Sequence, residues 1–346
     1  MFRLGKSMEA EGRTERPLPE RMACAGYASM GYWFYRWDWG ESVAIDGLLA
    51  AGPLIEAPGM VGFVAGEVAR WVRGFDPAAT PNPMGPSVAL LNLLRSNRLE
   101  SADPEVAWLL LRKLADHTVE SGRRLGAIAP EGDGRMLFVD SLYGIPEFLV
   151  RYADAVQDAD VRATAIELTL NHCSHLQRSD GLFAHFADLD DRDSPKIPWG
   201  RGNGWAILGL ARMITALGLE RTPAELLERF VRLSDALRAT QTAGGDWRNL
   251  IDDPHSYPES STTAMATAAL TGAVNSGILT TDYRQVADRS WESIADRIDA
   301  SGHMHGVSYR PGVNSDRGRY EHTPMFGSYP WGQGPYLLAA AQRIGD

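Results

Sequence analysis

Lysine is nearly absent from this 346-residue chain, occurring only as Lys6, Lys113 and Lys196. With 34 basic against 44 acidic residues the formal net charge is −10, and no basic block interrupts that balance. Nucleic acids and anionic membrane surfaces are therefore excluded as partners. A small anionic ligand is not, because a basic pocket fits on an acidic protein. Cysteine is scarce too: Cys24 and Cys173 lie in neither a CxxC nor a Cys/His spacing, which argues against a disulfide framework and against zinc. No apolar run reaches the length of a membrane span. The segment Met1–Glu20 is polar, without the apolar stretch of a secretory signal, so a cytoplasmic setting is expected. A GxSxG elbow and a GxxxxGK[ST] loop are both missing, and Cys173, although flanked by His172 and His175, lies inside an expected helix rather than in a loop. Serine hydrolase, NTPase and thiol-protease chemistry thus have no support. No fixed-period repeat is visible, and β-alternation never extends beyond a few residues.

What remains is helix after helix. Apolar residues at helical spacing predict helices over Met22–Tyr35, Glu41–Ala51, Met60–Arg73 and Ser87–Leu94, then from Asp103 to about Val119. Further ones are expected over Leu142–Val156, Asp160–Leu176, Gly204–Leu217, Pro223–Gln241, Thr262–Val274, Tyr283–Ile298 and Pro335–Ile344. Asp103-Pro104-Glu105 and Thr222-Pro223-Ala224-Glu225 read as helix starts. Behind a polar lead-in at 1–18, one uninterrupted unit over 19–346 with about twelve helices suggests six helical hairpins closed into a toroid. Alternate loops then share one rim: 35–41, 138–143, 180–205, 244–261 and 303–334.

The chemistry concentrates in those loops. Pro198-Trp199-Gly200-Arg201-Gly202-Asn203-Gly204-Trp205 reads as a glycine-rich turn feeding a helix, with Trp199 and Trp205 to stack on a sugar and Arg201 to grip a carboxylate. No strand precedes it, so a dinucleotide site is unsupported. Asp140 stands inside Leu137-Phe138-Val139-Asp140-Ser141-Leu142-Tyr143. A carboxyl in such apolar company is costly to ionise and suits a general acid; an N-cap for the helix from Leu142 is the other reading. His185 follows an Asp180-Gly181 turn, between aromatics. Trp37-Asp38-Trp39-Gly40-Glu41 and Tyr257-Pro258-Glu259-Ser260-Ser261-Thr262 add indoles, acids and hydroxyls before helices, with Ser261 or Thr262 as candidate caps. Nearly all ten tryptophans fall at expected loop–helix junctions, a placement suited to carbohydrate stacking. His303, His305 and His322 lack metal-ligand spacing.

Taken in order, Phe138–Tyr143, Leu182–His185, Trp199–Trp205, Glu259–Met265 and Gly332–Leu338 resemble the landmarks of the unsaturated rhamnogalacturonyl hydrolases, glycoside hydrolase family 105, related to the family 88 unsaturated glucuronyl hydrolases. The resemblance runs from about Trp37 to Arg343. It implies an all-α (α/α)6 barrel and removal of a 4,5-unsaturated uronic acid from the non-reducing end of a lyase-cut oligosaccharide. A carboxylic acid protonates C4, an oxocarbenium-like centre forms at C5, water adds there, and the hemiketal opens. Asp140 matches the family's catalytic Asp. Trp39, His185, Trp199, Arg201, Asn203, Trp205 and Glu259 are expected around the unsaturated sugar. No metal or organic cofactor is implied, and the partner is a small anionic oligosaccharide. The sequence sets no oligomeric state.

Two features depart from the family pattern. Its second Asp is missing where this chain reads Thr80-Pro81-Asn82-Pro83-Met84-Gly85, and no His occurs in Gly126–Arg135. Two alternatives accompany the main reading. One is an inverting glycosidase pairing Asp140 with Glu259 or Asp38 across a water, which needs carboxyls roughly 6.5–9.5 Å apart. The other is a sugar-binding relative without catalysis.

Overall fold

The computed structural model describes residues 39–54, 58–99, 101–128, 135–191, 193–312, 316–325 and 327–344. The expected helix Met22–Tyr35, Cys24, Trp37 and Asp38 lie outside these residues. Among the described residues twelve α-helices follow in order: α1 Trp39–Ala51, α2 Pro58–Arg73, α3 Ser87–Arg95, α4 Pro104–Leu125, α5 Ile145–Val156 and α6 Ala159–Leu176. The second half adds α7 Gly200–Leu217, α8 Ala224–Thr240, α9 Ser260–Asn275, α10 Arg284–Ala295, α11 Arg317–Glu321 and α12 Pro330–Ile344.

Six of these close a ring. α1, α3, α5, α7, α9 and α12 each pack on the next, and α12 returns to α1. Helices α2, α4, α6, α8 and α10 lie outside, each on the inner helix preceding it in sequence. This is the (α/α)6 barrel, and burial explains which helix goes where. In α9 every residue from Ser260 to Thr271 is buried, and α7 is almost as enclosed. Helices apolar or small all round must sit inside. α4 instead buries one stripe, Ala107, Leu110, Leu111, Leu114, Ala115 and Thr118, and leaves the other face to solvent, the pattern of an outer helix.

Since the chain alternates inward and outward, the inner helices run parallel and their N-termini meet at one rim. Trp39 of α1, Trp205 of α7 and Trp331 of α12 touch there, and Tyr143, just before α5, packs on Trp205. Ser42 Oγ donates to Met84 O at 2.7 Å, tying the approach to α3 to α1. The described parts of the loops expected to share a rim do so; residues 35–38 of the first lie outside the described residues.

Close packing in the ring rests on glycine. A Cβ at Gly47 or Gly334 would strike the facing backbone of α12 or α1, and one at Gly209 would strike the Leu142 carbonyl. The same applies to the glycine string. α7 begins at Gly200, four residues earlier than its apolar pattern suggested, and Gly200, Gly202 and Gly204 form its first turns rather than a loop. They are small because Arg248 O, Val139 and Met265 press against them. The caps differ from expectation as well. Asp103 accepts from Glu105 N, as the sequence indicated. Thr222 does not cap α8; its hydroxyl donates to Gly218 O. Neither Ser261 nor Thr262 caps α9, because Glu259 takes that place. Trp71, Trp108 and Trp291 lie inside outer helices rather than at junctions.

Gly209→Ala is expected to lower stability by about 1–3 kcal/mol, since the obstacle is backbone that cannot swing away. Urea unfolding measures it; an unchanged midpoint would show that α5 and α7 need not approach this closely.

Candidate active site

Two three-residue strands, too short for alternation to reveal, set the centre of the rim. β1 (Met136–Phe138) pairs antiparallel with β2 (Phe186–Asp188), Phe138 opposite Phe186. The ladder continues as Val139 N donates to His185 O at 2.9 Å. A 3-10 turn over Val139–Leu142 then carries Asp140. Asp140 and His185 thus come together because the ribbon ends beside both. Asp140 does not cap a helix: α5 starts after Gly144 and has no side-chain cap.

The Asp140 side chain is 17% exposed and that of His185 8%, with Nε2 lying 3.5 Å from Asp140 Oδ2. Oδ2 is buried and has no hydrogen-bond partner. His185 is clamped by Trp199, its ring centre 4.5 Å away, and by Phe138 and Phe186. Its Nδ1 meets the Tyr320 hydroxyl at 2.6 Å, so a residue of α11 anchors the His185 ring. Tyr320 was missed in the sequence; it lies 135 positions away in a segment with no pattern to single it out.

Arg201 is fully buried. Nη1 donates to Ser308 O at 2.7 Å, Ser308 Oγ at 2.8 Å and Ser261 Oγ at 3.3 Å, and Nη2 to Tyr309 O at 2.8 Å. Its guanidinium lies over Trp199, 4.4 Å from the ring centre. Burial pushes its pKa below the ordinary arginine value, while Glu259 and Asp140 oppose that shift. Glu259 is equally buried, 3.6 Å from Arg201 Nη1. Its carboxylate accepts from the Ser261 and Thr262 hydroxyls, Thr262 N and Ser308 N, all at 2.7–2.8 Å. Asn203 is consumed as well, pairing with Phe183 N and O and with Trp199 O. These three expected sugar contacts form the floor of the site and hold its backbone.

Above the floor stand the aromatics. Trp199 Nε1 donates to Asn249 Oδ1 at 3.2 Å, and Asn249 Nδ2 donates to Tyr320 O. Trp205 is fully buried beneath Trp39. Trp39 is half-buried, 5.1 Å from Trp331. Trp331 stacks on Tyr329 at 4.6 Å, and its Nε1 donates to Ser308 O. Trp331, Ser308 and Arg310 were also missed, because the 303–334 loop was marked only as a rim loop. In the Thr80–Met84 stretch, Asn82 Oδ1 accepts from Met84 N and serves its own turn. Among the described residues no three His, Cys, Asp or Glu side chains gather as a metal-binding group. Cys173 is buried, and burial raises its thiol pKa to about 12, so it is inert.

Among the described residues, a half-buried indole, Trp39, and a partly exposed acid, Asp140, stand where the positive ends of the inner helices meet, an arrangement suited to a carbohydrate-processing enzyme on an (α/α)6 barrel. The chain belongs to glycosyl hydrolase family 88, whose family model matches residues 27–345. It is 26% identical over 324 residues, 90% of each chain, to the unsaturated rhamnogalacturonyl hydrolase YesR of Bacillus subtilis (strain 168). In fold it resembles a family 105 glycoside hydrolase from C. acetobutylicum ATCC 824, with TM-score 0.82, 18% identity and coverage of 94% of this chain and 98% of that one. It also resembles the unsaturated glucuronyl hydrolase from Bacillus sp. GL1, with TM-score 0.69, 18% identity and coverage of 92% and 93%.

Arg201→Met is expected to cost about 3–5 kcal/mol, because it strands Glu259 as a buried charge. A thermal midpoint within a degree of the parent's would show that the pair is not structural. A second expectation concerns pH. His172 on α6 sits behind β1 with Nε2 2.9 Å from Phe138 O. Burial lowers its pKa from 6.5 to about 4, with the Phe138 carbonyl opposing the shift. The folded state therefore keeps it neutral while the unfolded chain takes up a proton. Its contribution, on the order of 3 kcal/mol, is complete above about pH 6.5 and is lost as pH falls toward 4. His172→Gln should flatten the dependence of the unfolding midpoint on pH across that window; an identical slope would assign acid sensitivity to other groups.

Proposed function

We propose that this chain hydrates the enol ether of a 4,5-unsaturated uronic acid at the non-reducing end of lyase-derived oligosaccharides, rhamnogalacturonan type first among them. The observation that carries the reading is Asp140: a nearly enclosed carboxyl whose Oδ2 lacks a hydrogen-bond partner and faces His185 at the indole-lined mouth. The side chain keeps part of its surface exposed, and in this reading Asp140 gives a proton to C4. Positive charge grows at C5 and the ring oxygen, and the resulting carboxylate draws a proton from the water that adds at C5. The hemiketal then opens and releases the remaining sugar. His185, fixed by Tyr320 and clamped by the rings, orients Asp140 through both steps. Trp39, half-buried at the rim, supplies a face for the sugar. The similarity to YesR, named as an unsaturated rhamnogalacturonyl hydrolase over 90% of its length, supports the substrate class. We place this work in the cytoplasm, consistent with cysteines outside any pairing pattern. Among the described residues no helix is long and apolar enough to cross a membrane.

The inverting alternative loses ground to a specific observation. Of its two candidate second carboxyls, Asp38 lies outside the described residues, and Glu259 makes every bond to protein with neither oxygen reaching solvent.

Lyase-generated disaccharides from rhamnogalacturonan, ulvan and glycosaminoglycans test the reading through loss of the ultraviolet absorbance of the C4–C5 double bond. The parent should bleach the rhamnogalacturonan product fastest, and Asp140→Asn should slow it by about a thousandfold with the unfolding midpoint preserved. Full turnover by Asp140→Asn would remove it as the acid. Binding without bleaching by the parent would favour a sugar-binding relative.

A further inference from the structure

Inside the barrel lies a second cluster of enclosed charges, which the reaction as described leaves unused. Asp46 on α1 and Arg212 on α7 stand about two helical turns past Trp39 and Trp205, on the same helix faces as those indoles. Arg212 Nη2 lies 3.0 Å from Asp46 Oδ2, and its Nε donates to Glu147 of α5. Arg151 Nε donates to the other Glu147 oxygen at 2.7 Å. Three inner helices are joined in this way, and the Asp46 and Glu147 side chains are only 10% and 2% exposed. One further bond leaves the cluster: the Tyr143 hydroxyl donates to Asp46 Oδ2 at 2.6 Å, across 97 positions of chain.

Tyr143 closes the turn that carries Asp140, its backbone N–H donating to the Asp140 carbonyl at 3.0 Å. At the other end of that turn Val139 N is bonded to His185 O. The Tyr143 ring packs on Trp205, 5.0 Å between centres, with the Arg212 guanidinium carbon 5.7 Å from its own centre. A four-residue 3-10 turn has few bonds of its own, so its place is set by what its two ends are tied to. We infer that Asp46 is a positioning residue for proton delivery: through the Tyr143 hydroxyl it fixes the depth at which the Asp140 turn meets His185. The inference rests on the function proposed above and deepens it.

The charges around Asp46 suit that role. Burial, with Asp46 alongside, drives Tyr143 well above the ordinary tyrosine range, so its hydroxyl stays a donor. Burial also raises the Asp46 pKa, with Arg212 opposing the shift and Glu147 adding to it. Against its own burial Arg212 is held well above the ordinary arginine value by Asp46 and Glu147. Tyr143 is 2% exposed and rests on the fully buried Trp205, so removing its hydroxyl takes no contact from the bound sugar. What changes is the reach of Asp140 toward C4. A misplacement of about 1 Å costs on the order of a hundredfold in rate, and a loss felt only in the transition state lowers kcat and leaves KM in place.

The test uses the full-length protein, an unsaturated galacturonyl–rhamnose disaccharide, and the variants Tyr143→Phe, Asp46→Asn and Asp46→Leu, each assayed well below its unfolding midpoint. Tyr143→Phe should lower kcat by about ten- to hundredfold with KM within about threefold. Asp46→Asn, whose carbonyl oxygen still accepts from Tyr143, should retain more kcat than Asp46→Leu. Adding Tyr143→Phe to Asp46→Leu should cost little more, because the shared bond is already gone. Independently of turnover, hydrogen exchange at the Val139 and Tyr143 amides should quicken by about tenfold or more in Tyr143→Phe. Parent-like kcat and amide protection in Tyr143→Phe overturn the inference and leave the proposed reaction standing. A rise in KM alone does the same, as do losses that multiply in the double variant. A parent that bleaches none of the unsaturated disaccharides fails the proposed reaction, and the inference falls with it.

Discussion

The enclosed pair of Arg201 and Glu259 is the interaction on which the mouth of this barrel depends. Two opposite charges with no access to water persist in a protein only when every remaining hydrogen-bonding position is filled. Glu259 is satisfied by Ser261, Thr262 and Ser308, and Arg201 by Ser261, Ser308 and Tyr309. Those partners come from the start of α9 and from the loop after Met304, while Arg201 itself belongs to the first turn of α7. The pair therefore ties two inner helices and one rim loop at a single point. It also caps α9 with a negative charge at the positive end of its dipole. Its worth lies in geometry: it places Tyr309 and Arg310 on one side and Trp199 on the other.

Around that point the rim is arranged by close approach. Glycine at 200, 202 and 204 lets α7 press against Arg248, Val139 and Met265, which sets Trp199 beside His185 and Trp205 beneath Trp39. The short ribbon of β1 and β2 places Asp140 next to His185, and His172 braces it through the Phe138 carbonyl. Asp140 is left with an oxygen that nothing in the protein satisfies. Burying an unsatisfied polar atom costs stability, and under the proposed reaction, in which Asp140 hands a proton to a carbon, such a cost has a use.

The fold was legible because its signal is periodic. Inner helices such as α9 are apolar or small on every side, outer ones such as α4 carry one stripe, and their alternation counts the hairpins. Boundaries were less legible where glycine serves packing rather than turning, which is why α7 starts at Gly200 and not Gly204. Of the candidate site residues, Asp140, His185, Trp199 and Trp39 come together at the mouth. Arg201, Asn203 and Glu259 do as well, but with their polar atoms turned into the protein. Side-chain chemistry in a string of letters does not reveal which face of a first helical turn points inward, and Arg201 shows the consequence. Tyr320 escaped for the opposite reason: it meets His185 from 135 positions away, and no local spacing encodes that.

The missing second Asp bears directly on the chemistry. Asn82 binds its own turn through Met84 N and brings no charge. Glu41 is buried in the first turn of α1. Glu259 is consumed by the floor. An inverting displacement needs an acid and a base on opposite faces of the sugar at the same moment. Hydration of an enol ether does not, because proton delivery to C4 precedes water attack at C5, and one carboxyl performs the two steps in turn. Among the described residues Asp140 meets His185 at the rim while Glu259 is enclosed, which fits the proposed reaction, since that reaction asks for one carboxyl. The loss of a second acid is more damaging to the inverting reading than to the hydration reading.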